Sequence, residues 1–362
     1  MRTSFAIVSL SASLIDEWTR VFAMSDARFF LSPAWVETWL AAQQDGVEIG
    51  CVRVFDDLRG VYGMGLVGLP KRSSFIALRE ARLHEAGVET LDRIYLEYND
   101  ILLVRDAPAG AREAAIAAIF DALPKVDEFV FRNATAPLAD AVEAIASDKK
   151  FAIARLNRQP VFELRLKAEG EGFSPSLRAK IRRSIRRYEE RGEVRLQRAA
   201  NEAERAVAWT ELMRLHAETW SRRGVSGVFS ERDFRAFHER LIAHHPSAVD
   251  FLRLTAGGET VGVLYNFVLG DRVCNYQSGF RYEADNQLVP GFVAHALAAA
   301  RYRDEGFAIY DLMGGDADYK RRLGVEGETL EMIVATRPGL RTKARSLARS
   351  IRRARDEGMR RT

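Results

Sequence analysis

The sequence predicts an α+β protein made of two successive copies of one unit, each a mixed, mostly antiparallel sheet flanked by helices. Three observations carry this reading. Both halves of the 362-residue chain open in the order strand, helix, helix. Both then run through a series of strands closed by a helix and a final strand. Between them, near 133–160, Pro137, Asp148-Lys149-Lys150 and Pro160 interrupt the pattern. The expected division is therefore 1–158, 159–337 and a basic tail over 338–362.

In the first half, apolar alternation predicts a strand over 5–10, and the 3.6-residue period predicts a helix over 13–24. The start, MRTSFAIVSLSASLIDEW, has one Arg, an interrupted apolar stretch and acids directly after it. It reads as this opening strand and helix, not as a signal peptide. Ser32-Pro33 starts a second helix over 33–43, with serine as cap and proline in the first turn. Strands follow near 49–56, 61–69 and 101–104, then a helix over 110–122 and a strand over 127–132.

The second half opens after Pro160 with the strand VFELRL. Ser174-Pro175 then starts a helix over 174–191 in which Leu177, Ile181, Ile185 and Tyr188 mark one buried face. A strand over 193–198, helices over 202–222 and 230–243, and strands over 249–256 and 260–269 come next. The strand DRVCNYQSG at 271–279 leads through a polar loop to a helix opened by Pro290-Gly291 and stopped at Gly306. A strand over 307–313 and a last one over 328–336 complete the unit.

Composition describes a folded globular chain: 47 % of residues are apolar and 29 % charged. No run approaches the length of a membrane span. The two cysteines, Cys51 and Cys274, lie in apolar strand patterns in different halves and read as buried thiols of a reducing, cytoplasmic compartment. The six histidines lack metal-ligand spacing, so no metal site is expected. The net charge of +4 is uneven. Residues 176–198 carry nine Lys/Arg against three Glu, and 341–362 carry nine against two acids. In the tail, Leu340, Ala344, Leu347, Ile351 and Ala354 form a narrow apolar stripe between the cations. This amphipathic helix either lies on an anionic membrane surface or docks on the protein body.

The most informative segment is IYDLMGGDADYKRRLG at 309–324. A buried strand ends at a glycine pair and is followed by ionisable side chains, a common way to build a site at a sheet edge. Asp311 is a candidate base, or a carboxylate that bonds the turn after it. Lys320 could stabilise an oxyanion or hold a phosphate, or be a surface cation of the Lys-Arg-Arg run. Tyr319 and Tyr276 carry phenols able to protonate a leaving group, and both also suit aromatic packing. The helix start at Pro290, Gly291, Phe292 and Val293 offers unpaired N–H groups to an anion. Arg182, Arg183 and Arg186, with their neighbours, either bind phosphate or cover a solvated face. His216 and Trp220, four apart on one helix, either line a pocket or form a core pair. His295 reads as a packed residue.

These motifs resemble the CelD-type acetyltransferases of the GNAT superfamily, which are related to the Fem-type peptidyl transferases. The resemblance rests on the strand–loop–Pro290-Gly291 helix, Tyr310-Asp311, and Gly315 followed by Tyr319-Lys320. It extends to FFLSPAWVETWL at 29–40, SPSLRAKIRRSIRRYEERG at 174–192 and LMRLHAETWSRRG at 212–224. The phosphate loop of that superfamily, Gln/Arg-x-x-Gly-x-Gly/Ala, stands here as Gln287-Leu288-Val289-Pro290-Gly291-Phe292, with two positions changed. The resemblance implies two tandem GNAT-like domains and acyl transfer, acetyl foremost, from acyl-CoA to an amine or sugar hydroxyl, as in envelope or exopolysaccharide synthesis. It also leaves open transfer of an aminoacyl group from tRNA, and a non-catalytic accessory role. The acceptor would be a small or sugar-linked molecule.

Overall fold

The computed structural model describes residues 1–43, 46–71, 77–167, 172–339 and 341–342. It divides into two compact units, Met1–Arg158 with Leu330–Thr362, and Gln159–Thr329. The tail segment proposed for a membrane or a docking surface, residues 340 and 343–362, lies outside the described residues.

In chain order the first half contains β1 (Arg2–Val8), α1 (Ala12–Ala23), α2 (Pro33–Ala41), β2 (Val47–Asp56), β3 (Gly60–Pro70) and β4 (Glu80–Leu83). It continues with α3 (Glu89–Asp92), β5 (Leu102–Leu103), α4 (Ala111–Ala122), β6 (Glu128–Ala134) and α5 (Ala136–Asp148). The second half contains β7 (Ala152–Arg165), α6 (Pro175–Glu189), β8 (Val194–Arg198), α7 (Glu202–Ser221), α8 (Arg232–His244) and β9 (Val249–Ala256). Then follow β10 (Glu259–Leu269), β11 (Arg272–Phe280), α9 (Pro290–Asp304), β12 (Ile309–Gly314), α10 (Asp318–Leu323) and β13 (Val325–Thr336).

The α+β class and the twofold repetition of the unit hold. In the first unit the strands run β1-β2-β3-β4-β6-β13, with β5 beside β3. In the second they run β7-β12-β11-β10-β9-β8. Each sheet is antiparallel except for one parallel pair, β4–β6 in the first unit and β11–β12 in the second. Each parallel pair is registered over only three residue pairs, Glu80–Arg82 against Glu128–Val130 and Arg272–Cys274 against Ile309–Asp311. A helix lies between the paired strands in the chain, as a parallel connection requires.

Several elements differ from the sequence reading. Pro137, taken as a breaker, sits in the first turn of α5, where its missing N–H costs nothing. Pro160 lies inside β7, which begins at Ala152. Residues 318–323, to which the sequence reading gave no element, form the short helix α10. The final strand also changes its allegiance. From Glu331 to Thr336 β13 pairs with β6, so its second half belongs to the first unit.

Both faces of the second unit's sheet are covered. On one, α6 and α9 bury Leu177, Ile181, Tyr188, Val293, Ala298 and Tyr302 against Leu252, Leu264, Val273 and Tyr310. On the other, Trp209 of α7 and Phe234, Phe237 and His238 of α8 build an aromatic cluster with Phe251, Tyr265, Phe267 and Tyr276. Edge-to-face rings of this kind add about 1 kcal/mol per pair beyond their burial. Cys51 and Cys274 are buried free thiols, and burial pushes the Cys51 thiol up to about 12. Among the described residues no helix is long and apolar enough to cross a membrane.

Candidate functional site

The brevity of the β11–β12 pairing creates an opening in the second unit. After Cys274, β11 continues with β10, and after Asp311, β12 continues with β7, so the two strands part. The first turns of α9 stand over this parting. His295 of α9 meets Phe280 at the end of β11 with ring centroids 5.9 Å apart. It also bonds the hydroxyl of Tyr310 in β12 at 2.9 Å. On the opposite side α7 presses against β11 at Gly279, where a Cβ would lie 2.9 Å from the Leu212 carbonyl oxygen. Glycine is required there by close approach of the helix backbone.

At the start of α9 the amides divide into spent and available ones. Gln287 N–H donates to the Asp285 carboxylate at 2.9 Å, and Val289 N–H donates to Ser184 Oγ at 3.0 Å. Val293 N–H donates to the Val289 carbonyl at 3.1 Å, which corrects the expectation that it is unpaired. Pro290 has no N–H, and no side chain caps the helix. The amides left at this helix start are those of Gly291 and Phe292. Two cations approach the Phe292 side chain: Lys180 Nζ lies 5.8 Å and the Arg322 guanidinium carbon 5.0 Å from the centre of its ring. Open amides at a helix start and nearby cations both favour an anion. Asp285 adds one negative charge nearby and is itself paired with Arg187 at 3.1 Å.

Farther along α6, Arg182, Arg183 and Arg186 are exposed, and no ion pair joins them to a described residue. Arg187 and Arg191 are instead tied to Asp285 and Glu283. The buried Ser184 anchors α6 to the loop before α9, which fixes where the basic face stands.

The end of β12 is held by its own Asp311 and by Lys320 of α10. Asp311 is wholly buried. Arg272 Nη1 donates to its Oδ2 at 2.9 Å and Met313 N–H donates to its Oδ1 at 2.7 Å. Arg272 also reaches Glu163 at 3.2 Å. Of the two readings of Asp311, this geometry favours the carboxylate that bonds the turn. The turn needs it, because Met313 adopts a positive φ of 64°, uncommon for a residue with a side chain. Lys320 folds back from α10, and its ammonium donates to the carbonyls of Met313 at 3.2 Å and Gly314 at 2.5 Å. It is buried, so it is no surface cation.

Tyr319 projects differently. Its ring stacks on His295 with centroids 5.8 Å apart and planes 17° from parallel, and it is 39 % exposed. Burial and the Lys320 charge push His295 down to about 3, so its imidazole is neutral at physiological pH. The structure thus groups Tyr319, Lys320, His295 and Tyr310. Tyr276 lies with the aromatic cluster on the other sheet face, stacked on Phe234 and packed against Phe267. A bulge between Tyr265 and Asn266 accompanies this change of side in β11.

His216 and Trp220 touch as their spacing predicts, with Trp220 Nε1 donating to His216 Nε2 at 2.8 Å. They stand beside a cavity of about 650 Å³ between the end of α7, the 224–230 segment and α8. Sequence reasoning took His295 as a packed residue and did not place Lys180 or Arg322 at the start of α9. The first had a readable signal, since it follows Gly291 by four residues and shares its helix face. The two cations had none, as they come to Phe292 from separate helices. Among the described residues no group of His, Cys, Asp and Glu could hold a metal ion.

Comparison with known proteins bears on this geometry. Residues 175–321, which span α6 to α10, match the acetyltransferase (GNAT) domain. The crystal structure of FemX is similar over 91 % of this chain and 97 % of its own, with a TM-score of 0.57 and 12 % identity. The L-PGS structure from Bacillus licheniformis is similar over 94 % and 96 %, with a TM-score of 0.52 and 10 % identity. The C-terminal domain of a putative lysylphosphatidylglycerol synthetase from Agrobacterium fabrum is similar over 90 % and 92 %, with a TM-score of 0.54 and 10 % identity. At these identities the likeness is one of fold. No curated protein matches the sequence. Within the second unit, residues 175–321 thus match a GNAT domain, and over the whole chain the fold is like that of FemX.

Proposed function

We propose that this chain is an acyltransferase that takes an acyl group from a phosphate-bearing thioester, acyl-CoA, and passes it to an amine or hydroxyl. The observation that carries the reading is the start of α9, where the Gly291 and Phe292 amides are left over and Lys180 and Arg322 lie over the Phe292 ring. In this reading the donor's phosphates rest on that helix end and its acyl carbonyl enters the parting of β11 and β12. Attack by the acceptor's nitrogen or oxygen forms the new bond to the carbonyl carbon, and the carbon–sulfur bond then breaks. The acceptor's proton leaves to water, because both oxygens of Asp311 are engaged. Tyr319, half-exposed beside His295, is placed to return a proton to the departing thiolate. Lys320 serves by holding the strand end in shape.

A second reading is an aminoacyl group delivered on tRNA, and one observation favours it. Arg182, Arg183 and Arg186 present an exposed cationic row suited to the repeated phosphates of a tRNA backbone. Thermal-shift measurement with CoA, acetyl-CoA and charged tRNA separates the two, since a ligand of the folded state raises the melting temperature. A rise with acetyl-CoA and none with tRNA supports the first reading, the reverse supports the second, and no rise with any of them defeats both.

A further inference from the structure

His216 holds a hydrogen-bond donor that no described residue accepts. An indole nitrogen only donates, so Trp220 makes His216 Nε2 the acceptor, and the proton of the neutral ring must sit on Nδ1. Burial and the nearby Arg223 charge push this histidine down to about 4, which keeps the ring neutral. The side chain is only 5 % exposed, and Nδ1 has no hydrogen-bond partner. An unmade bond to a buried N–H costs about 1–3 kcal/mol. His295 Nε2 is also buried and unbonded, but only His216 lines the described cavity.

The wall around that cavity is mixed in a specific way. Phe229 offers an aromatic surface, its ring 4.7 Å from the imidazole and edge-on to it. Ser221 and Ser226 line the cavity, and their hydroxyls make no hydrogen bond with a described residue. Arg235 spends one nitrogen on the Phe229 carbonyl at 2.6 Å, and Glu239 accepts only a long 3.4 Å bond from Trp209. One cation and one anion leave the wall without net charge. Gly227 forms the cover over Nδ1: a Cβ there would lie 2.5 Å from that nitrogen. Only glycine allows the 224–230 segment to close so near the ring.

We propose that this cavity binds an uncharged pyranose ring, with the His216 Nδ1–H donating to one of its oxygens. A pyranose has an apolar face for Phe229 and a rim of hydroxyls that both donate and accept, which matches the serines, Arg235 and Glu239. Entry of the sugar displaces the Gly227 backbone from the imidazole and completes the missing bond. The sugar's service as acyl acceptor rests on the acyltransferase reading; its binding does not.

The full chain carrying ¹⁵N-histidine is titrated with N-acetylglucosamine and, separately, with methyl α-glucoside, while the His216 Nδ1–H resonance is followed. A saturable shift with either sugar is expected. Sugar affinity, measured by calorimetry, should fall about tenfold in His216→Phe and in Glu239→Gln, the loss of roughly one hydrogen bond in each. Glu239 is exposed, so that variant remains informative should His216→Phe fail to fold. N-acetylalanine amide serves as an uncharged non-sugar probe. No saturable shift with either sugar, a shift with the amide alone, or equal affinity in Glu239→Gln overturns the proposal. Sugar binding in a protein that transfers no acyl group leaves the site standing and removes only its role as acceptor site. Acyl transfer without sugar binding does the opposite.

Discussion

Trp220 and His216 are joined nitrogen to nitrogen across one turn of α7, so the indole dictates which imidazole nitrogen carries the proton. Trp220→Phe keeps the ring and removes the donor. It should cost about 1 kcal/mol of stability, the usual net worth of one hydrogen bond. Nitrogen chemical shifts should then report exchange between both tautomers of His216 in place of one. A variant that keeps the single Nδ1–H form would show that another group holds the proton.

Acid should weaken the second unit before the first. Burial holds His216 near 4 and His238 and His295 near 3, all below the ordinary 6.5. A depressed histidine favours the neutral form in the fold, so its contribution is whole above pH 6.5 and is lost as pH falls toward 3–4. Each ring contributes a slope on the order of 1 kcal/mol per pH unit across that window. In the first unit His84, held near 4, acts the same way, but Glu85 opposes it. Burial and neighbouring Asp92 push Glu85 up to about 7, so its contribution grows as pH falls from 7 toward 4.5. Hydrogen exchange followed by mass spectrometry between pH 7 and 4.5 should show protection lost in 159–329 while 1–158 changes less.

Reversing either cation beside Phe292 should weaken a phosphate-bearing donor without harming the fold. For Lys180→Glu or Arg322→Glu the expected loss in acetyl-CoA affinity is about tenfold, or 1.4 kcal/mol, measured by calorimetry. The salt dependence of binding should also become shallower. Unchanged affinity in both variants would remove the start of α9 as the donor site.

Asp311→Asn separates support from chemistry. If the carboxylate holds the turn, its loss removes the anion that Arg272 meets at 2.9 Å and costs about 3 kcal/mol in urea unfolding. A variant of undiminished stability that transfers no acyl group would instead make Asp311 a base.

Much of this arrangement could be read from the chain. Ser174-Pro175 and Pro290-Gly291 announce two helices, both by proline in the first turn and the first also by its serine cap, and both form as read. Pro137 misled because proline marks a helix start as readily as a break, and only the partners of α5 decide between them. Asp311 and Lys320 were rightly found beside a buried strand. Their sequence could not tell that each would be consumed by the turn, since that depends on Arg272 from β11 and on carbonyls bent toward Lys320. Lys180, Phe292 and Arg322 meet only through packing of α6, α9 and α10. No spacing rule along one helix can report such a meeting.

The return of β13 to β6 has a consequence for how the chain is made. Residues 159–329 form a continuous stretch, whereas the sheet that begins at β1 lacks its β6 neighbour until Glu331–Thr336 have been synthesised. On a ribosome adding about 5–20 residues per second, the later unit can fold while the earlier one still waits with an open edge. Truncation before Leu330 should therefore spare the second unit and leave the first prone to sticking through β6. A transplanted 159–329 segment is the piece suited to independent expression, and the first unit survives its removal only if Arg158 is spliced to Leu330.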